Sequence, residues 1–251
     1  NGVTYQADPG GVIIRQSNAV GGTALVVITN SASPDAAHPI VFAGFSVQGG
    51  PPSGVNLWIC QASYIEVKNC TIDATGYAPW YNLMTYSASD IRIHNNVIVN
   101  GGCTYDSRRT GAKWYNNTFV GSYGGYAMYF GGCQDGYQPG TWGDPGAPLT
   151  ADRDEFTNNI IASGNYGGLY IQPATGFTYP LSVKHDYNML GSLSIPFGGQ
   201  AARAAHESTN VDPMLDGTYR LRKFSPAIDA GTHVGLPYEW LRPDLGAFES
   251  R

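Results

Sequence analysis

Five cationic or imidazole side chains crowd one short stretch of the chain: Arg92, His94, Arg108, Arg109 and Lys113, with Tyr105, Asp106 and Tyr115 among them. That mixture suits elimination on an acidic sugar polymer. Cations neutralise the uronate carboxylate, a base takes the C5 proton, and an acid protonates the departing oxygen. On this reading Arg92 and Arg108 bind the carboxylate, Lys113 or His94 is the base, and Tyr115 or Tyr105 is the acid. Arg109, Tyr105, Tyr137 and Trp142 would hold the rest of the substrate. A plainer reading competes. If Val67, Ile93, Trp114 and Phe156 point inward, strict alternation throws Glu66, Arg92, Lys113, Glu155 and Lys184 outward in one column. A second column holds Lys68, His94, Tyr115 and Thr157. Mixed signs on neighbouring strands make an exposed ion ladder, which contributes little.

Other constellations are weaker. Asp73, Asp90, Asp106 and Asp135 are spread along the chain, so no clear calcium ligand cluster stands out; no cofactor is expected, calcium being the one left open. Asp152, Asp154 and Glu155 are the only close acids. A glycosidase needs two carboxyls roughly 5–10 Å apart across the bond, but acids after a Pro-rich stretch read as turn residues. Tyrosines and tryptophans (Tyr77, Trp80, Tyr81, Tyr86, Tyr123, Tyr126, Tyr129, Tyr166, Tyr170) are dense in the middle of the chain. Exposed, such rings stack on sugar faces; otherwise they pack along the strands.

The elements that position these groups are repeats. Ile91-Arg92-Ile93-His94-Asn95-Asn96-Val97-Ile98-Val99 and Ala112-Lys113-Trp114-Tyr115-Asn116-Asn117-Thr118-Phe119-Val120 are one phrase written twice. Copies stand at Ile65-Glu66-Val67-Lys68-Asn69-Cys70-Thr71-Ile72 and Glu155-Phe156-Thr157-Asn158-Asn159-Ile160-Ile161, with an echo at Val183-Lys184-His185-Asp186-Tyr187-Asn188-Met189-Leu190. A second apolar piece precedes each phrase. Short strands parted by Gly or Asn corners cannot make long hairpins, but they suit a chain winding in a coil. The expected fold is all-β, a single-stranded right-handed parallel β-helix of about ten coils forming one domain over residues 1–251. At ~4.8 Å per coil it would be roughly 50 Å tall. Cys70, Asn96, Asn117 and Asn159 are the expected inward ladder. Its side chains satisfy corner backbone groups, while the preceding residue takes the left-handed conformation. On this reading the sequons at Asn69 and Asn116 belong to the ladder and are not glycosylated.

Residues 3–14 read as a hairpin-like strand–turn–strand around Asp8-Pro9-Gly10-Gly11. Residues 135–154 read as a long protruding loop, whose Tyr137 and Trp142 would face ligand. Residues 201–207 give the only helical turn, and residues 212–251 close the domain. Cys60, Cys70, Cys103 and Cys133 form no CxxC pair, which argues against zinc. Their spacing suggests two disulfides in an exported protein, the other reading being buried free thiols.

Net charge excludes one class of partner. At −5 the chain lacks the basic face that nucleic acid requires, and no apolar run reaches membrane-spanning length.

The tail carries a resemblance. Ser225-Pro226-Ala227-Ile228-Asp229-Ala230-Gly231, followed by Asp244-Leu245-Gly246-Ala247-Phe248-Glu249, is similar to the closing phrase of secreted bacterial β-helix proteins of the pectate-lyase-like superfamily. The resemblance implies export, a location outside the cell or on its surface, and a polysaccharide partner. It is specific for fold and export but not for activity. The superfamily contains polysaccharide lyases, in which Arg or Lys can act as base with Tyr or His as alternatives, besides glycoside hydrolases, epimerases and proteins with no known chemistry. The calcium-binding Asp cluster and the paired hydrolase acids of that superfamily are missing here. Two functions follow: a polyuronate lyase, or a non-catalytic adhesive or structural β-helix stacking end to end through an uncapped first coil.

Overall fold

The computed structural model describes residues 3–8, 12–15, 24–29, 35–50, 54–77, 79–86, 88–101, 103–107, 111–122, 125–131, 154–162, 166–172 and 183–250, with only the backbone at 103 and 105–107. Every named element is a β-strand. The first sheet stacks Val3–Gln6, Ile40–Ala43, Ile65–Lys68, Arg92–His94, Lys113–Tyr115, Asp154–Thr157 and Val183–Asp186. The second stacks Val12–Arg15, Phe45–Gln48, Thr71–Asp73, Val97–Val99, Thr118–Val120, Ile160–Ile161, Met189–Leu190 and Ser208–Thr209. The third stacks Ala24–Ile28, Val55–Cys60, Tyr81–Tyr86, Cys103–Ser107, Tyr126–Gly131, Gly167–Ile171 and Ile195–Gly199. All pairings between these strands are parallel, and the chain visits the sheets in rotation. That order is a parallel β-helix.

Alternation builds the core. Val67, Ile93, Trp114 and Phe156 share one register column and are fully buried. From the third sheet, the register pairs Leu57 with Leu83 and Met128 with Leu169 are fully buried too. Phe156 meets Phe119 at 5.9 Å and Phe130 edge-on at 6.0 Å, so facing sheets interlock across the interior.

The corner between the first and second sheets is the Asn ladder. Asn117 Oδ1 accepts from the backbone N–H and the Nδ2 of Asn96, both at 3.1 Å. Asn159 and Asn188 repeat the pattern one coil on, and Asn96 receives the N–H of Cys70 at 2.9 Å. Each Nδ2 also donates to a backbone carbonyl: Val67, Ile93, Trp114 and Phe156 in turn. The residue before each rung, Asn69, Asn95, Asn116, Asn158 or Tyr187, has φ between 50° and 60°, a conformation Asn tolerates best. Asn188 adds a rung beyond the four positions expected. The carboxylate of Glu207 then accepts its Nδ2 at 2.8 Å and ends the ladder.

Several expectations are corrected. Val3–Gln6 and Val12–Arg15 do not pair as a hairpin; they open two different sheets. Residues 201–207 form a turn rather than a helical turn, because Glu207 folds back to accept the Ala204 N–H at 2.8 Å. Cys60 and Cys70 are free thiols, so no disulfide joins them. Cys70 points inward, where burial pushes its thiol up to about 11. The side chains of Cys103 and Cys133 lie outside the described residues. Asn69 stands exposed off the ladder, unlike Asn116, so its sequon is not withdrawn by burial. Most of the 135–154 loop lies outside the described residues. Its last residue, Asp154, instead begins a strand and accepts the Ala112 N–H at 2.9 Å.

The outward Asn residues have a second use. Asn95, Asn116 and Asn158 donate to the carbonyls of Ala247, Asp244 and Thr232, lashing the C-terminal segment across the outer face of the second sheet. Leu245 and Ala227 bury against Ile160 and Met189, and Ala247 buries against Val97 and Val99. Gly246 cannot carry a side chain: its φ is +86°, and a Cβ would lie 2.7 Å from both Ile160 Cδ1 and Thr118 Oγ1.

The clasp titrates. Glu249 sits half-buried beside Asp244, and burial, then the Asp244 charge, raise its carboxyl to about 7 from 4.5. A raised folded-state value means the stabilisation is fully present below pH 4.5 and is lost as pH rises through 7. Discounted for solvent screening, the loss is about 1–2 kcal/mol. Melting curves from pH 5 to pH 8 should therefore fall more steeply for the native chain than for Glu249→Gln. Equal slopes would dismiss the carboxyl as the cause.

Candidate functional site

The charged columns stand as alternation requires. In the first sheet Glu66, Arg92, Lys113, Glu155 and Lys184 are consecutive register partners, and Lys68, His94, Tyr115, Thr157 and Asp186 form the neighbouring column. Arg92, His94, Lys113 and Tyr115 therefore form a two-by-two block on adjacent coils. Arg108, Arg109, Tyr137 and Trp142 lie outside the described residues. Tyr105 is placed only by its backbone, in the third-sheet strand Cys103–Ser107.

Within the block, most polar atoms are already engaged. His94 is buried, with Nε2 2.8 Å from Glu66 Oε1 and Nδ1 2.7 Å from Asn95 Oδ1. Both ring nitrogens face acceptors, so neither is open to a substrate proton. Lys68 approaches the other oxygen of Glu66 at 3.1 Å. The His94 hydrogen bond, helped by Lys68 and opposed by burial, holds the Glu66 carboxyl down at about 2. Tyr115 donates its hydroxyl to Glu155. Burial, then that carboxylate, push its phenol far above the ordinary value, so Tyr115 keeps its proton. Lys113 lies 3.6 Å from the same carboxylate, a long contact between partly exposed groups.

A hollow of about 260 Å³ opens beside this block, at the corner where the third sheet passes to the first. Tyr64, Glu66, Asp90, Arg92, Gly111 and Lys113 line it, with Pro39 and Ala36 at one end. Its wall is a stack of left-handed corners: Tyr64, Asp90 and Gly111 have φ of 53°, 50° and 72°. The turn into the first sheet thus sets the two cations side by side. The volume is just below that of typical enclosed ligand sites, which fits one ring-sized unit entering from solvent. Among the described residues, no three His, Cys, Asp or Glu side chains gather to hold a metal, and no helix is long and apolar enough to cross a membrane.

Sequence reading missed a second stack. Asn56 Nδ2 donates to Asn82 Oδ1 at 3.0 Å, and Asn82 Nδ2 reaches the carbonyl of Val99 at 3.0 Å, bracing the opposite corner. The signal was the shared apolar–Asn–Leu phrase of Val55-Asn56-Leu57 and Tyr81-Asn82-Leu83. The lashing role of Asn95, Asn116 and Asn158 was missed as well.

Strand order and side-chain placement define a parallel β-helix with a charged hollow on its flank. No family model matches the chain, and no curated protein matches it. Among solved structures, the crystal structure of pectate lyase Pel9A is similar at 14% identity, covering 99% of this chain and 88% of that one with a TM-score of 0.24. So weak a likeness carries no argument, and the fold assignment rests on the strand order and register themselves.

Proposed function

We propose that this chain is an extracellular polysaccharide-acting protein that binds a uronate polymer in the Tyr64–Lys113 hollow and cleaves it by β-elimination. We also infer that the coil is right-handed, the hand that parallel crossovers take; among the described residues its sheets hold seven or eight strands each, fewer turns than the ten expected. The observation that carries the functional reading is the placement of Arg92 and Lys113 as register neighbours, both opening into one hollow. Two adjacent cations match a carboxylate, and Arg92 presents a planar fork suited to it. Lys113 is the better base than His94, whose ring nitrogens are occupied. The Lys113 amine, in its neutral form, takes the C5 proton while the C4–O bond breaks, and the electron pair becomes the C4–C5 double bond. Tyr115 does not line the hollow and its hydroxyl is donated to Glu155, so the departing oxygen takes its proton from water.

Incubation with alginate, pectin and glycosaminoglycans, followed by absorbance of the unsaturated uronide, tests this. Activity on at least one polymer is expected, with Lys113→Ala slower by about 100-fold or more. No absorbance with any polymer, or full activity in Lys113→Ala, would sink the elimination reading.

One observation favours a second reading, self-association. Val3, Tyr5, Ile13 and Val27 on the first coil are 45–58% exposed. Their strands end the three sheets among the described residues, and a sheet edge invites another chain. Sedimentation across concentrations tests it, and a constant monomer rules it out.

A further inference from the structure

The outer face of the third sheet carries a cluster that the elimination reading does not use. Tyr126 is partly exposed, and its ring lies across the glycines of the next two coils. A Cβ on Gly167 would meet Tyr126 Cδ1 at 2.5 Å, and one on Gly198 would meet its hydroxyl oxygen at 2.2 Å. Only glycine at both places lets the ring lie down on the sheet. Tyr170 leans over Gly199 in the same way, its Cζ 3.0 Å from the position of a Cβ. Tyr126 and Tyr170 meet at 4.8 Å and 46°, whereas Tyr129 and Tyr170 stack at 4.5 Å and 19°.

These contacts differ in what they leave available. Tyr129 and Tyr170 spend ring faces on each other. Tyr126 rests one face on glycine backbone, meets Tyr170 only at a tilt and stays partly exposed. Tyr166, 55% exposed, stands close enough for its phenol, with that of Tyr170, to help burial raise the Tyr126 phenol. The result is one flat aromatic face rimmed by two hydroxyls.

We propose that Tyr126, seated on Gly167 and Gly198 and rimmed by Tyr166 and Tyr170, is a stacking subsite for a pyranose ring of a bound polysaccharide. A pyranose has an apolar C–H face and equatorial hydroxyls, which match a ring face and phenol rim. The patch is one ring wide, too narrow for a protein interface, which buries roughly 800 Å² per partner. This subsite rests on the reading of the chain as a polysaccharide-binding protein, but not on the elimination step. It lies at the start of the third-sheet strand Tyr126–Gly131, whereas the hollow lies beyond the strand ends, about 20 Å away at 3.3 Å per residue.

Titration calorimetry with hexasaccharides of polygalacturonate, mannuronate and a neutral β-glucan tests the assignment. At least one should bind, Tyr126→Ala should weaken it by about tenfold, and Tyr126→Phe should retain it. Gly198→Ala, whose Cβ would push the hydroxyl end of the ring off the sheet without removing the ring, should also weaken binding, with circular dichroism unchanged in all three variants. Affinities within about twofold of native in both Tyr126→Ala and Gly198→Ala would overturn the subsite, as would no binding of any probe. If Lys113→Ala abolishes elimination while the Tyr126 variants bind normally, only the subsite falls. If binding depends on Tyr126 but no polymer is cleaved, only the elimination falls.

Discussion

Asn117→Ala should cost about 3–6 kcal/mol of folding stability, read from urea unfolding. The side chain accepts the Asn96 N–H, donates to the Ile93 carbonyl and bonds the Asn159 amide, all at full burial. Alanine leaves at least one backbone donor and one carbonyl without these partners in a place water does not reach, at roughly 1–3 kcal/mol for each orphaned group. Breaking the amide chain adds more, since its members polarise one another. Against a typical domain stability of roughly 5–15 kcal/mol, the coil would be close to losing its fold. Asn69→Gly is the matching control. Asn69 is exposed at the same corner with φ of 53°, a conformation glycine takes freely, so a change within about 1 kcal/mol is expected. A loss below about 1 kcal/mol in Asn117→Ala would mean the ladder is a consequence of the coil rather than a support for it.

The ladder was legible because two requirements fall on adjacent residues and both select Asn. One residue must turn left-handed, and the next must feed an inward amide to a bend. The outward columns were legible for a similar reason, since a period of two leaves each residue one face to choose. What the pattern could not supply was diagonal contact. Alternation places Glu66 beside Arg92, yet its carboxylate reaches across to His94 in the next column. That choice depends on side-chain rotamers, and it removes a candidate base from solvent. The outward Asn residues were hidden by their own explanation: once αL tolerance accounted for Asn95, Asn116 and Asn158, nothing demanded a partner more than 70 residues away. The helical reading of residues 201–207 failed where a strong local preference met a buried acceptor. Alanine-rich sequence favours helix, but Glu207 is drawn inward by the end of the ladder, and its chain must bend to deliver it.

Glu207 therefore gives the second large effect. Its carboxylate, 1% exposed, accepts from Asn188 Nδ2 and the Ala204 N–H and lies 2.9 Å from His185 Nδ1. Hydrogen bonds to a charged group contribute roughly 1.5–3 kcal/mol each, so Glu207→Ala should cost about 3–5 kcal/mol. Glu207→Gln keeps the acceptor for Asn188 but turns an amide N–H toward one of the other two donors, so about half that loss is expected. The damage should also be local. In a stacked coil each turn depends on its neighbours, and the last coils have lost their terminus rather than their interior. Amide exchange should accelerate through Val183–Asp186, Met189–Leu190 and Ser208–Thr209 in Glu207→Ala while Arg92–His94 and Lys113–Tyr115 remain protected. Exchange that rises equally in both regions would show a single cooperative unit, and the carboxylate would then stabilise the whole rod rather than seal its end.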